Sequence, residues 1–145
     1  MYLVDTNVIS AGAPSRIASA GLIAWMDAHS AVLSLSAVTV TEIEDGVAKL
    51  RREGAARKSA DLAAWWEAML HLYGGRILPL DTETAQIAGA LSDHARGQGQ
   101  APGLADLIIA ATARRHGLTI LSRNIRHFAP LDVPVLDPFA ALPPA

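Results

Sequence analysis

Three carboxylates border apolar segments that lie far apart in the chain. Asp5 directly follows the apolar run 1–4. Glu42 and Asp106 border two other apolar segments. Asp106 is the only charged residue within 100–113. An unpaired ionised carboxylate in such surroundings costs several kcal/mol or takes up a proton. A bound divalent cation would make all three placements tolerable, so these residues predict a metal-dependent enzyme.

Short apolar strands that alternate with helices must position these acids. The predicted strands cover 1–4, 31–36, 76–81, 118–122 and 133–136, and the predicted helices cover 15–29, 39–52, 55–73, 82–96 and 104–116. This alternation predicts an α/β domain with a mainly parallel central sheet of four to five strands, covered on both faces. Pro134 predicts that the last strand lies at an edge. Because ligands bind outside the carboxyl ends of parallel strands, we expect the three acids to meet at one rim.

Three carboxylates at one rim would repel one another. Two like charges about 4 Å apart interact by roughly 4 kcal/mol at an effective dielectric constant of about 20. At least one acid should therefore hold a proton unless a cation is bound. Ligand sets made only of oxygen favour Mg²⁺ or Mn²⁺, and such an ion can activate a water and neutralise a phosphoryl oxygen. Hydrolysis of phosphodiesters is the reaction that suits this arrangement.

Each acid also has a purely structural interpretation. Asp5 can open an Asx turn. Glu42 can form a capping box with Thr39, and Asp106 can be a first-turn acid that interacts favourably with the helix dipole. Asp81 is expected to cap the helix 82–96. No single acid is specific, but the joint placement of Asp5, Glu42 and Asp106 at one sheet edge favours a site.

Composition narrows the class of protein. The 145 residues suit a single domain over 1–145, with 140–145 expected to form a frayed tail. The absence of cysteine excludes disulfides and thiolate metal sites. No run approaches the roughly 18 apolar residues of a membrane span, and no leader is recognised, so we expect no membrane association and a cytoplasmic location. The formal net charge of −2 argues weakly against a nucleic-acid partner.

Four ordered motifs carry a family resemblance that spans nearly the whole chain. They are LVDTNVIS at 3–10, SAVTVTEI at 36–43, ADLIIAATA at 105–113 and LSRN at 121–124. Together they resemble the PIN-domain family, and most closely its VapC-type toxins of toxin–antitoxin systems, including the FitB-like branch. The resemblance implies a three-layer α/β/α fold and an endoribonuclease that depends on Mg²⁺ or Mn²⁺. It also implies a homodimer that is neutralised by a VapB-type antitoxin.

The resemblance assigns catalytic and metal-binding roles to three acids, Asp5, Glu42 and Asp106, but this chain departs from the family at a fourth position. Many relatives carry an aspartate where this chain has Asn124, and others carry one three residues later, where it has His127. Asn124, the fourth predicted catalytic residue, can orient a metal-bound water or a ligand but supplies no negative charge. We therefore expect a site with three carboxylates.

Neighbours of Asn124 add further hypotheses. Ser122 could form a hydrogen bond with Asp5 or with a water, although serines at strand ends are usually structural. Arg123 and Arg126 are predicted to contact RNA. His127 could act as an acid–base group, although a histidine on a loop is more often solvated. The alternative to a nuclease is a degenerate PIN module that binds RNA or a protein without cleavage, because its fourth acid is missing.

Overall fold

The computed structural model describes residues 1–14 and 19–144 of the chain. Within these residues the strands are β1 (Tyr2–Val4), β2 (Leu33–Ser36), β3 (Ile77–Leu78), β4 (Thr119–Leu121) and β5 (Val135–Leu136). The helices are α1 (Thr6–Ile9), α2 (Ala20–Ala28), α3 (Ala37–Arg52), α4 (Ala56–Tyr73), α5 (Thr82–Gly97), α6 (Leu104–His116) and α7 (Ile125–Phe128).

The five strands form one sheet in the order β3-β2-β1-β4-β5, and every neighbouring pair is parallel. The prediction of a mainly parallel sheet of four to five strands is therefore confirmed. β5 lies at an edge, as Pro134 indicated. Because all strands run in the same direction, the residues that follow β1 and β4 emerge at the same rim of the sheet.

Two hydrophobic clusters cover the two faces of the sheet. Alternate residues of β1 separate, so that Tyr2 and Val4 join one cluster while Leu3 joins the other. The first cluster includes buried residues of α2, α3 and α4, and the second includes those of α5, α6 and α7. Side chains that alternate between two buried faces are the expected pattern for a strand at the centre of a three-layer fold.

Helix α3 begins earlier than predicted. The side chain of Ser36 accepts a hydrogen bond from the backbone N–H of Val38 at 3.2 Å and caps the helix, whose first residue is Ala37. Thr39 is therefore inside the helix, and the capping box proposed for Glu42 is wrong. Glu42 lies in the second turn of α3 and is not needed to satisfy its first N–H groups.

Two other predicted boundaries change. The helix expected over 15–29 has Ala20–Ala28 as its described part, with Ser19 as the cap; Ser15, the cap expected there, lies outside the described residues. The strand expected over 76–81 shortens to Ile77–Leu78 because Pro79 has no N–H to donate to a neighbouring strand and Asp81 already caps α5.

The end of the described chain returns to the sheet. The Tyr2 hydroxyl donates a hydrogen bond to the Pro144 carbonyl at 2.7 Å. The fraying expected for 140–145 stays a prediction. Among the described residues, no helix combines the length and apolar character needed to cross a lipid bilayer.

Candidate active site

Asp5 is held firmly at the end of β1. Its side chain is buried, with 6% of the residue exposed. One carboxylate oxygen accepts the backbone N–H of Thr6 at 2.8 Å, while the other accepts the Ser122 hydroxyl at 2.7 Å and the Asn7 amide at 3.2 Å. The expected bond from Ser122 is confirmed. Asp5 also caps α1, but through the N–H of Thr6 and not through the N–H two residues on that an Asx turn uses.

Burial raises the pKa of Asp5 above its ordinary value, and the negative charge of Asp106 raises it further. The hydrogen bonds from Ser122 and Thr6 oppose this increase in the pKa without cancelling it. The carboxylate is therefore oriented by fixed donors in surroundings that disfavour its charge. A cation close to Asp5 would be favourable for the same reason.

Glu42 reaches the site from α3. Its Oε1 accepts a hydrogen bond from the Thr6 hydroxyl at 2.8 Å. The residue as a whole is exposed, but its carboxyl end is partly covered, and this desolvation raises the pKa of Glu42. The charges of Asp5 and Asp106 raise the pKa of Glu42 further, so each of these two acids acts electrostatically on it.

Asp106 lies in the first turn of α6 and is half-buried. Its Oδ2 is 3.3 Å from Nδ1 of His127. The imidazole is therefore a direct neighbour of one of the three acids. Its role as an acid–base group stays a hypothesis.

Asn124, Arg123 and Arg126 lie at this rim but line two different depressions. Asn124 is exposed, and its backbone N–H donates to the Ser122 hydroxyl at 2.9 Å. Asn124 and Arg123 line the same cleft as the acids. Arg126 instead lines an adjoining hollow, together with His127 and the other side of Asp106.

The three carboxylates line one cleft of about 680 Å³ at the rim where β1 and β4 end. Within 1–14 and 19–144, no three acidic or histidine side chains are close enough together to form a ready-made ion site. The donor chemistry nevertheless fits a hard divalent cation, since all three groups offer carboxylate oxygens. A cation would also offset the conditions that raise the pKa values of Asp5 and Glu42.

Comparison with known proteins accounts for this arrangement. The profile of the family described as PIN domain matches residues 2–133. The chain belongs to the PIN-domain family. Toxin FitB of Neisseria gonorrhoeae is 38% identical over 143 residues, which cover 96% of this chain and 99% of the relative. VapC ribonuclease Y4jK of Sinorhizobium fredii is 32% identical over 96% of this chain and 98% of the relative.

The solved structures agree with this membership of the PIN-domain family. The crystal structure of FitAcB from Neisseria gonorrhoeae superposes with a TM-score of 0.84 at 38% identity, covering 96% of this chain and 99% of that chain. FitAB bound to an IR36 DNA fragment superposes with a TM-score of 0.77 at 34% identity, covering 96% of each chain. The resemblance to the FitB-like branch and the predicted three-layer α/β/α fold are both confirmed.

Two residues of this PIN domain were missed as site residues. Asn7 bridges the acid and the end of β4, since its amide donates to Asp5 and its Oδ1 accepts the backbone N–H of Arg123 at 3.1 Å. Phe139 lines the cleft from the turn that follows β5. A signal for Phe139 exists in the sequence, because a residue just after a parallel strand emerges at the same rim as the acids.

Proposed function

We propose that this PIN domain, over 1–145, is an Mg²⁺- or Mn²⁺-dependent endoribonuclease and the toxin of a VapBC-type toxin–antitoxin module. The observation that carries the proposal is the shared cleft of Asp5, Glu42 and Asp106, in which burial and like charge raise the pKa of two of the acids. The relative named VapC ribonuclease supports the choice of RNA as substrate.

In this proposal Asp5, Glu42 and Asp106 hold the metal, directly or through water. When bound, the metal would supply charge neutralisation at a phosphoryl oxygen and would lower the pKa of a water for attack on the phosphodiester. Ser122 and Asn7 fix the orientation of the Asp5 carboxylate through their hydrogen bonds. The Asn124 amide orients a ligand at the rim, and Arg123 and Arg126 bind the RNA backbone.

We also propose a VapB-type antitoxin as the partner and a homodimer as the assembly. The relatives named Toxin FitB and FitAB support the first of these. A toxin that cleaves RNA and is restrained by such a partner would act in the cytoplasm.

Cleavage of a labelled single-stranded RNA pool tests the activity. The wild type should cleave with Mg²⁺ or Mn²⁺ and stop when EDTA is added, while Asp5→Asn should be inactive in both conditions. Asp93→Asn, which changes an exposed acid on α5, should cleave like the wild type. Equal cleavage by wild type and Asp5→Asn would refute the proposal.

Titration with Mn²⁺, followed by the signal of the free ion in electron paramagnetic resonance, separates the nuclease from the degenerate module. The nuclease should bind Mn²⁺ at a site that is lost in Asp5→Asn. A module that only binds RNA or protein should show no site that depends on these carboxylates.

A further inference from the structure

An arginine and a phenylalanine are stacked at the edge of the acidic cleft. Cζ of Arg123 lies 3.7 Å from the centroid of the Phe139 ring. Both residues line the cleft that contains Asp5, Glu42 and Asp106. The guanidinium therefore lies against the ring, beside the acids, while Arg123 stays exposed to solvent.

Both stacked residues are anchored to neighbours of the site. The backbone N–H of Arg123 donates to Oδ1 of Asn7 at 3.1 Å, and the amide of Asn7 donates to Asp5. The backbone N–H of Phe139 donates to Oδ1 of Asp137 at 2.9 Å, and its ring packs against the cluster on one face of the sheet. This anchoring fixes the position of the pair relative to Asp5.

The positive charge of Arg123 is the second property of the stacked pair. Arg123 is the one cationic side chain among the described residues that line the cleft. No described acid lies within ion-pair distance of its guanidinium. The charge is thus available to a phosphate, whereas the three nearby carboxylates would repel the RNA backbone.

We propose that Arg123 and Phe139 form a stacking subsite for an unpaired nucleotide next to the cleaved phosphate. Phe139 holds the guanidinium plane flat, the base stacks on the outer face of that plane, and the N–H edge binds the flanking phosphate. Single-stranded RNA is commonly bound by stacking on aromatic rings and arginine planes, whereas bases inside a duplex are not available. The proposal rests on the proposed function and adds a preference for single-stranded RNA.

Fluorescence anisotropy of a labelled RNA tests the subsite. Binding is measured in the Asp5→Asn background, which should not cleave, with a single strand and a duplex of the same length. Arg123→Lys keeps the charge but removes the plane, and Phe139→Leu keeps apolar packing but removes the ring. Each should weaken single-strand binding roughly tenfold, with little change in the dependence on salt. Neither should weaken binding of the duplex.

Loss of charge should look different from loss of stacking. Arg123→Ala should weaken binding and also lower the slope of log affinity against log salt by about 0.7, the value for one phosphate contact on a single strand. Arg96→Lys is the matched control, since Arg96 is exposed on α5 and does not line the cleft. Its affinity for both RNAs should equal that of the background protein.

Several results would overturn the subsite. These are unchanged single-strand binding by Arg123→Lys, an equal loss for single strand and duplex, or no measurable RNA binding by the background protein. If Phe139→Leu lowers the melting temperature, its weaker binding could come from lost stability. The binding of Arg123→Lys then tests the subsite, because that variant leaves the core intact. RNA cleavage by the wild type with unchanged binding by the variants would refute the subsite alone. Stacking-dependent binding without cleavage would refute the nuclease proposal alone.

Discussion

Two acidic clusters of this chain have opposite electrostatics. At the start of α5, Asp81 accepts the backbone N–H of Thr84 at 3.0 Å and pairs with Arg115, which also contacts Glu83 at 3.0 Å. The Thr84 N–H and the guanidinium of Arg115 hold the pKa of Asp81 well below its usual range. In the cleft, by contrast, the pKa values of Asp5 and Glu42 are raised.

The difference between the clusters lies in the source of the neutralising charge. The cluster at Asp81 contains its own cation, so its acids cap a helix and join α5 to α6. No lysine or arginine in the described part of the chain is within ion-pair distance of Asp5, Glu42 or Asp106. Asp81 therefore has a structural role beside a built-in cation, whereas the acids of the cleft have no lysine or arginine of the described residues within ion-pair distance.

Removing one carboxylate from each cluster should give the largest contrast. Because a bound metal stabilises the transition state by several kcal/mol, Asp106→Asn should lower RNA cleavage by about 100-fold or more. Asp81→Asn should leave the cleavage rate unchanged, since Asp81 caps α5 and pairs with Arg115 outside the cleft. Initial rates with Mn²⁺ measure both effects. A similar loss in the two variants would show that cleavage follows general stability and not the cleft.

Adding a fourth acid to the cleft should give a smaller effect. Asn124→Asp places a negative charge at the rim. We expect this carboxylate to attract a bound Mn²⁺ across solvent by about 1 kcal/mol, which corresponds to roughly fivefold tighter binding. Asn124→Ser, which adds no charge, is the control. Calorimetric titration measures both affinities. Equal affinities for Asn124→Asp and the wild type would place residue 124 out of reach of the metal.

The smallest expected effect is on stability. Asp5 and Asp81 should make the free energy of unfolding depend on pH in opposite directions. The raised pKa of Asp5 means that its stabilising contribution is complete below its unfolded pKa and is lost as the pH rises through the folded pKa. The lowered pKa of Asp81 means that its contribution is present above its unfolded pKa and is lost as the pH falls through the folded pKa.

Urea unfolding of metal-free protein between acid and neutral pH tests this prediction. The free energy of unfolding of Asp5→Asn should rise relative to the wild type as the pH increases. That of Asp81→Asn should fall relative to the wild type as the pH rises toward the ordinary aspartate pKa of about 3.9, below the interval in which Asp5→Asn changes. If the unfolding free energies of both variants, relative to the wild type, change with pH in the same direction, one of the two pKa shifts has the wrong direction.

The sequence predicts those parts of the site that follow from strand direction. Asp5 comes directly after β1, and Asn124 comes three residues after β4, which runs the same way, so their shared rim follows from a parallel sheet. Glu42 and Asp106 are harder to place because they sit on helices, whose rotation depends on how α3 and α6 pack. The sequence therefore indicates one cleft without giving the distances between its acids.

The errors have local physical causes. Ser36 is the last residue of β2 and also the cap of α3. No loop separates the two elements, so the sequence between them gives no turn signal for the start of the helix. Pro79 shortens β3 in a segment whose apolar residues suggested a longer strand. Phe139 was missed because its position depends on the turn after β5, and its aromatic type suggests core packing as readily as a ligand site.

Thr6 is a spacer between two of the acids. Its backbone N–H binds Asp5 at 2.8 Å, and its hydroxyl binds Glu42 at 2.8 Å. An insertion or deletion between β1 and α1 would displace both bonds together and change the separation of the two acids. Length changes should therefore be tolerated better in a connection away from the cleft, such as 53–55 between α3 and α4, than in this first turn.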